Sequence, residues 1–391
     1  MRPRTTRWLA ALLALALAVP AAAQDADPAR LDGVWQGTVA GQRVRACFDW
    51  RDWRSQPDLL AIYYYDHVKR LIRLEQQGEG FRERFAYTSE RGASWTFTQV
   101  SENELVGDWG GGQGAQPIRL ARLPFEQTGM RPNPCESEAF MEPLFAGGQV
   151  DEVPAMSGDQ PYTRLVFQPP THLQPQDDDD FGPVAIETFA IEEVSSADRA
   201  INAVLATHLP RGGTADEYAR CLIGNAAWNG VLGNFSLKAR PEFVTQQWLG
   251  LVETHALYCG GAHPSYWESR RTFDRRSGRE VDPLGWFLEA GFARQPEGRG
   301  DTAYLQSEMT EPLKAVVLEH WPRGDDYEPD CIYAAESAFG WSIGVVEDGI
   351  AFIPGVPHVA AMCAYTVVVP WTDIEPFLSP EGRVLMLTLA P

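Results

Sequence analysis

The sequence predicts an α+β fold, with an N-terminal antiparallel β meander or small barrel and a C-terminal mixed α+β domain. Short strand-like runs separated by turn residues recur over 31–126, with no helical period. Strand-like and amphipathic helical segments are mixed over 161–391. A chain of 391 residues also exceeds the usual size of one domain, which favours two domains.

Residues 1–23 have the pattern of a secretory signal peptide. Arg2, Arg4 and Arg7 precede the apolar run Trp8–Val19, and small residues end at Ala23, where we expect cleavage. A run of about twelve residues is too short to span a bilayer as a helix. We therefore predict a protein of the periplasm or one that is secreted, without membrane insertion after cleavage.

The β domain is expected over 31–126. Eight strand-like runs are found there: 33–37, 44–48, 60–65, 68–74, 81–87, 94–100, 104–109 and 117–123. Their even spacing suggests a meander that either stays open or closes as a barrel. The opening Gly33-Val34-Trp35-Gln36-Gly37 is similar to the first strand of lipocalin-like barrels, and we expect Trp35 to fill one end of the structure.

A linker is predicted over 127–160, where prolines and glycines break any periodicity. The α+β domain follows over 161–391. A strand is expected at Val184–Val194, then a helix capped by Ser195 or Ser196 and a second helix over Ala215–Leu222. Later elements are strands at 234–239, 249–259, 266–274 and 363–369, a helical region over 302–320, and a hairpin at Asp348-Gly349.

Six cysteines in an exported chain indicate disulfides, and the sequence alone allows fifteen ways of pairing them. Bridges tend to stay within domains, so we expect neighbours in sequence to pair. The predicted pairs are Cys47 with Cys135, Cys221 with Cys259, and Cys331 with Cys363.

The sequence contains no recognisable catalytic motif. A nucleophile elbow, a zinc-protease helix, a phosphate-binding loop and a dinucleotide fingerprint are all missing, so we assign no catalytic residue. A zinc site would use His255, Cys259 and His263, or Glu253 with both histidines, but the spacing matches no standard site. We predict neither a metal nor a cofactor.

The formal net charge of −20 argues against binding to nucleic acid or anionic membranes and favours a basic partner. The run Asp177–Asp180 is interpreted as a solvated loop rather than a calcium site, because its spacing is not that of an EF-hand.

One segment resembles a known family. The run Leu257-Tyr258-Cys259-Gly260-Gly261-Ala262-His263-Pro264, followed by Thr272-Phe273-Asp274 and Ser277-Gly278-Arg279, resembles the core of the RsiV-like C-terminal domain family. The resemblance covers about 184–391. Members of that family include uncharacterised periplasmic proteins, accessory modules of a peptidoglycan deacetylase and the ectodomain of a lysozyme-sensing anti-sigma factor. The resemblance therefore implies binding rather than catalysis.

The favoured hypothesis is a non-enzymatic envelope binding or accessory protein. Its ligand would be a basic protein such as lysozyme or a peptidoglycan fragment. Candidate binding residues are His263, Tyr266 and Trp267, and Tyr63-Tyr64-Tyr65 is a second aromatic cluster. Two alternatives stay open: a periplasmic hydrolase with a carboxylate and histidine site, and a carrier of a small apolar ligand inside the β domain.

Overall fold

The computed structural model describes residues 30–53, 56–85, 91–112, 114–126, 133–173, 184–296, 305–324 and 327–389. The predicted signal peptide and the run Asp177–Asp180 lie outside these ranges. Within them, no helix combines the length and apolar composition that crossing a bilayer requires.

The N-terminal strands form a closed eight-stranded antiparallel barrel, which decides between the two predicted forms. Each strand pairs with the next, and β1 also pairs with β8, so that Trp35 lies opposite Arg122. The strands are β1 (Gly33–Val39), β2 (Gln42–Trp53), β3 (Gln56–Tyr65), β4 (Ile72–Gln77), β5 (Gly80–Arg84), β6 (Arg91–Val100), β7 (Glu104–Gly111) and β8 (Gly114–Leu123).

Aromatic side chains fill the barrel, as expected of a small barrel whose alternate residues point inward. Trp35, Tyr63 and Trp95 are fully buried, and the Tyr63 and Trp95 ring centroids are 4.7 Å apart. The Arg122 guanidinium lies 4.2 Å from the centroid of the Trp35 ring, which connects the first and last strands. The carrier hypothesis required an open interior, and these aromatic side chains occupy that space.

The range predicted as a linker contains regular structure. A 3₁₀ helix (Pro134–Glu136) is followed by α1 (Glu138–Phe145) and by β9 (Gln149–Ser157). The linker prediction needs this correction because Pro134 lies in the first turn of a helix, where a proline is tolerated. Positive φ angles at Gly147 and Gly148 then turn the chain from the helix into the strand.

The α+β region is built on a seven-stranded sheet that begins with β9, before the predicted boundary at 161. Its order is β15-β14-β13-β12-β11-β10-β9, and only β11 and β12 are parallel. Two helices connect that parallel pair, because a parallel connection needs a long crossover. The further elements are β10 (Gln160–Gln168), β11 (Val184–Ile191), α2 (Ser196–Leu205), α3 (Glu217–Asn229), β12 (Asn234–Val244), β13 (Trp248–Tyr258), β14 (Ser265–Asp274) and β15 (Arg279–Val281).

In the described residues of the C-terminal part, a three-stranded sheet and four α-helices pack around a separate apolar core. Its elements are β16 (Phe292–Pro296), β17 (Leu305–Met309), α4 (Glu311–Glu319), α5 (Cys331–Glu336), β18 (Trp341–Val346), β19 (Gly349–Pro354), β20 (Val367–Pro370), α6 (Trp371–Ile374) and α7 (Pro380–Leu389). The predicted hairpin at Asp348-Gly349 joins β18 to β19.

Two predictions in this part were wrong in detail. Within the predicted helical region 302–320, residues 305–309 pair with β16 as strand β17, and helix α4 begins at Glu311. Likewise, the run from Cys363 begins in a 3₁₀ helix (His358–Cys363), and only 367–370 form a strand.

One apolar core joins the barrel to the α+β region. The outer face of the barrel contributes Val34, Leu60 and Ile62, and they pack with buried residues of α1 and α3. Arg51 of the barrel donates a hydrogen bond to the Ala227 carbonyl at the end of α3. The two parts are therefore in direct apolar contact rather than separated by a spacer.

The three disulfides match the predicted pairing. Cys47 bonds to Cys135, Cys221 to Cys259, and Cys331 to Cys363. The first connects β2 to the 3₁₀ helix before α1, the second connects α3 to the end of β13, and the third connects α5 to the 3₁₀ helix that begins at His358.

Candidate functional site

The glycine turn between β13 and β14 presents the candidate residue His263. Gly260 and Gly261 have φ angles of 98° and 107°, values that favour glycine over any residue with a side chain. The Tyr258 hydroxyl donates a hydrogen bond to the Gly261 carbonyl, 3.0 Å away, and fixes the turn. Residues 261–266 are all exposed. The turn therefore presents the side chains of His263 and Tyr266 to solvent.

His263 stacks on a histidine from the C-terminal part. Its ring centroid lies 3.3 Å from that of His358, and the ring planes differ by 10°. His358 begins the 3₁₀ helix that also carries Val359 and Met362, which are 92% and 69% exposed. His358 was not predicted from the sequence, since no local pattern relates residues so far apart in the chain.

Exposed apolar side chains therefore lie close in sequence to each of the two stacked rings. Tyr266 is 69% exposed and lies three residues after His263. We call His263, Tyr266, His358, Val359 and Met362 the stacked-histidine surface. Exposed aromatic and methionine side chains of this kind are enriched at protein interfaces.

Trp267 does not share a face of the sheet with Tyr266, because neighbours on a strand point to opposite faces. It lies across from His255 in the β13–β14 pair, and the two rings stack 4.5 Å apart at 8°. The structure therefore separates Trp267 from the other two candidate binding residues. About 42% of its surface stays exposed while its ring covers His255.

Below Trp267 lies a buried polar cluster on Glu253. His208 Nε2 is 3.0 Å and Arg271 is 2.9 Å from Glu253 Oε1, and His255 Nε2 is 3.9 Å from Oε2. Burial raises the pKa of Glu253, but the contacts with His208, His255 and Arg271 outweigh it and hold this pKa well below its ordinary value. The Glu253 carboxylate is therefore charged at neutral pH and in contact with these three side chains.

The contacts of the described histidines include no side-chain nucleophile. Within the described ranges, no histidine side chain hydrogen-bonds to a serine, threonine or cysteine side chain, so no nucleophile and base pair is formed. His255 Nδ1 is buried and has no hydrogen-bond partner in that same part of the chain. His208 was not predicted from the sequence, since it lies in the 3₁₀ turn Ala206–His208 after α2 and reaches Glu253 only through tertiary packing.

Neither zinc combination forms. Cys259 is in the disulfide with Cys221, so its sulfur is not available as a thiolate ligand. His263 stacks on His358, whereas His255 faces Glu253. Over the described residues, no group of three or more histidine, cysteine or acidic side chains is arranged to hold a metal ion.

The tyrosine cluster is part of the core. Tyr63 points into the barrel and Tyr64 packs outward against Phe140 of α1, so both are fully buried. The Tyr63 hydroxyl donates to Glu83 at 2.6 Å, and burial together with this carboxylate raises the pKa of Tyr63 far above its ordinary value. We therefore do not retain these residues as a recognition surface.

A largely buried arginine fixes the C-terminal sheet against β14. Arg270 contacts Glu242 at 3.0 Å and Glu268 at 2.5 Å, and Glu268 accepts a hydrogen bond from Thr366. A side chain at Gly344 of β18 would collide with Arg270, with only 2.2 Å to its Cβ atom. This close packing positions the segment that carries His358 beside the glycine turn.

Comparison with known proteins gives distant structural matches only. No model of a known protein family matches the chain, and no curated protein sequence matches it. A DUF3298 family protein from Pseudomonas aeruginosa PAO1 superposes with a TM-score of 0.35 at 11% identity, covering 60% of this chain and 96% of its own. A DUF3298 member from Bacteroides fragilis NCTC 9343 superposes with a TM-score of 0.37 at 10% identity, covering 61% of this chain and 97% of its own. Both similarities are too low to assign the chain to that family or to indicate a ligand.

Proposed function

We propose that the protein is a non-enzymatic binding protein of the cell envelope that uses the stacked-histidine surface to hold a partner. The observation that carries this proposal is the exposure of Tyr266, Val359 and Met362 on the two segments that the His263–His358 ring stack brings together. Exposed apolar side chains held in a fixed geometry are suited to enter a pocket or cleft of another protein. The three disulfides support a site of action in an oxidising compartment, either the periplasm or the medium.

The partner that fits best is a basic protein such as lysozyme. A net charge of −20 attracts a cationic protein and accelerates its encounter. The apolar side chains of the surface would then supply short-range contacts. A peptidoglycan fragment is the alternative ligand, and the same experiment separates the two.

Binding is tested by calorimetry with the purified mature protein, using hen egg-white lysozyme and a soluble muropeptide at low and moderate salt. We expect lysozyme to bind, more weakly at the higher salt concentration. Tyr266→Ala and the double variant Val359→Ser/Met362→Ser should each weaken binding at least about tenfold, the loss typical of an interface hot spot.

The matched control is Leu387→Ser, which removes a similarly exposed apolar side chain from α7. It should leave the affinity within about twofold of the native protein, since exposed positions outside a hot spot contribute little. Binding of the muropeptide alone would transfer the proposal to a glycan ligand. Failure of both probes to bind would reject the proposed surface.

A further inference from the structure

The two stacked histidines belong to separately anchored segments. His263 is held by the glycine turn between β13 and β14, and its Nδ1 lies 3.1 Å from the Pro264 carbonyl. His358 starts the 3₁₀ helix whose last residue, Cys363, is bonded to Cys331 of α5. The ring stack is therefore a direct contact between the seven-stranded sheet and the C-terminal part, and it lies in water.

The charged groups near the rings do not neutralise them. The turn 259–264 and the 3₁₀ helix 358–363 carry no charged side chain besides these histidines. The elements packed beside them bring Asp330, which precedes α5, Glu336 on α5, and Glu268 with Arg270 on β14. Among the described residues, no carboxylate lies within ion-pair distance of either ring.

His320, in contrast, is a histidine that does form an ion pair with a carboxylate. His320 Nε2 lies 2.9 Å from Asp373, so a proton on that ring meets an opposite charge. A proton on each ring of the His263–His358 stack would instead place two like charges face to face. Histidine is the side chain that gains charge between pH 5 and 8, and like charges at contact distance repel.

We infer that the His263–His358 stack is a pH-sensitive joint, closed while at most one ring is protonated and open when both rings are charged. Opening would separate Val359 and Met362 from Tyr266 and so take the stacked-histidine surface apart. It would also add positive charge where a basic partner binds. The inference deepens the proposed function, on which its role in partner release rests: the partner would be held at neutral pH and released in acid.

The joint is tested first without any partner. Histidine ring signals are followed by NMR from pH 8 to pH 4.5 in the native protein and in His358→Phe, which keeps a stacking ring that cannot be protonated. In the native protein His263 should titrate in two steps, because its proton uptake is coupled to that of His358. In His358→Phe it should titrate in one step. His320→Gln serves as the matched control and should leave both steps in place.

Amide exchange gives an independent readout of opening. After correction for the intrinsic rate, protection of residues 359–363 should fall at least about tenfold between pH 7.5 and pH 5 in the native protein, and less than threefold in His358→Phe. One-step titration of His263 in the native protein, or equal protection at both pH values, would overturn the joint.

Lysozyme binding then tests the consequence. The dissociation constant of the native protein should rise at least about tenfold from pH 7.5 to pH 5, and that of His358→Phe less than threefold, whatever its affinity at pH 7.5. Native protein that fails to bind at either pH rejects the proposed function, whereas the NMR titration still decides whether the joint exists. Equal pH ratios in the two proteins would reject its role in release.

Discussion

Two buried glutamates are stabilised in different ways. Glu83 in the barrel accepts hydrogen bonds from the Tyr63 hydroxyl and the Trp95 and Trp109 indoles, and in the described part of the chain no cation pairs with it. Glu253 on the sheet is instead surrounded by Arg271 and two histidines. The contacts around Glu253 depress its pKa, so Glu253 should make stability depend on acid.

Replacing Glu253 should destabilise the protein at neutral pH and much less in acid. A carboxyl group with a lowered pKa in the folded state contributes stability above its unfolded pKa of about 4.3, and that contribution is lost as the pH falls toward the folded pKa. Glu253→Gln should therefore lower the free energy of unfolding by about 2 kcal/mol at pH 7 and by less at pH 3. Denaturant unfolding at the two pH values measures both effects.

Glu280→Gln is the control for this prediction. It removes the other carboxylate that contacts Arg271, but at an exposed position. Such a pair contributes about 0–1 kcal/mol. A loss of stability at pH 7 as large as that of Glu253→Gln would show that burial of Glu253 is not the cause.

At the level of secondary-structure elements, helix α1 contains a proline whose effect is compensated from the barrel. Pro143 has no N–H to offer the carbonyl of Ala139 one turn earlier, and Arg45 of β2 donates to that carbonyl at 2.5 Å. Phe140, Met141, Leu144 and Phe145 are fully buried. The helix thus depends on its neighbours more than on its own hydrogen bonds.

Truncating the buried side chain of Phe140 in α1 should destabilise both the barrel and the α+β region. Phe140 packs 5.3 Å from Tyr64 of the barrel and belongs to the core shared with α3. Phe140→Ala should lower the free energy of unfolding by about 3–5 kcal/mol, with fluorescence and circular dichroism following one common transition. Separate transitions for the two probes would contradict the shared core.

The same helix shows where sequence reasoning succeeds and where it stops. The barrel strands were predictable because alternation and turn residues are local signals. Helix α1 was missed because Pro143 and Gly147 resemble breaks unless the contact with Arg45 is known. Of the site, His263 and Tyr266 were predicted from the glycine turn. His358 and His208 were not, since they reach the site through tertiary packing.

At the scale of the whole molecule, the first disulfide closes the connection between barrel and helix. Cys47 and Cys135 are 88 residues apart in the chain and are both fully buried in the shared core. The long loop restricts the unfolded chain more than the shorter loops of the other two bridges, which span 38 and 32 residues.

Removal of this bridge should have the largest effect of the three. Cys47→Ala/Cys135→Ala should lower the free energy of unfolding by about 4 kcal/mol, measured by denaturant unfolding without reductant. Cys331→Ala/Cys363→Ala is the comparison and should cost less, provided that the entropy of the unfolded chain dominates. The reverse order would show that local packing outweighs loop length.

The shared core also determines how the chain can be divided. Dividing the chain between residues 126 and 133 would leave every described strand and helix intact, because that stretch separates the last barrel strand from the first helix. An excised barrel, however, would expose Leu60, Ile62 and Tyr64 to solvent as one continuous apolar patch. The remaining fragment would expose the complementary side of α3 to solvent, so crystallisation and interaction screens should use both parts in a single polypeptide.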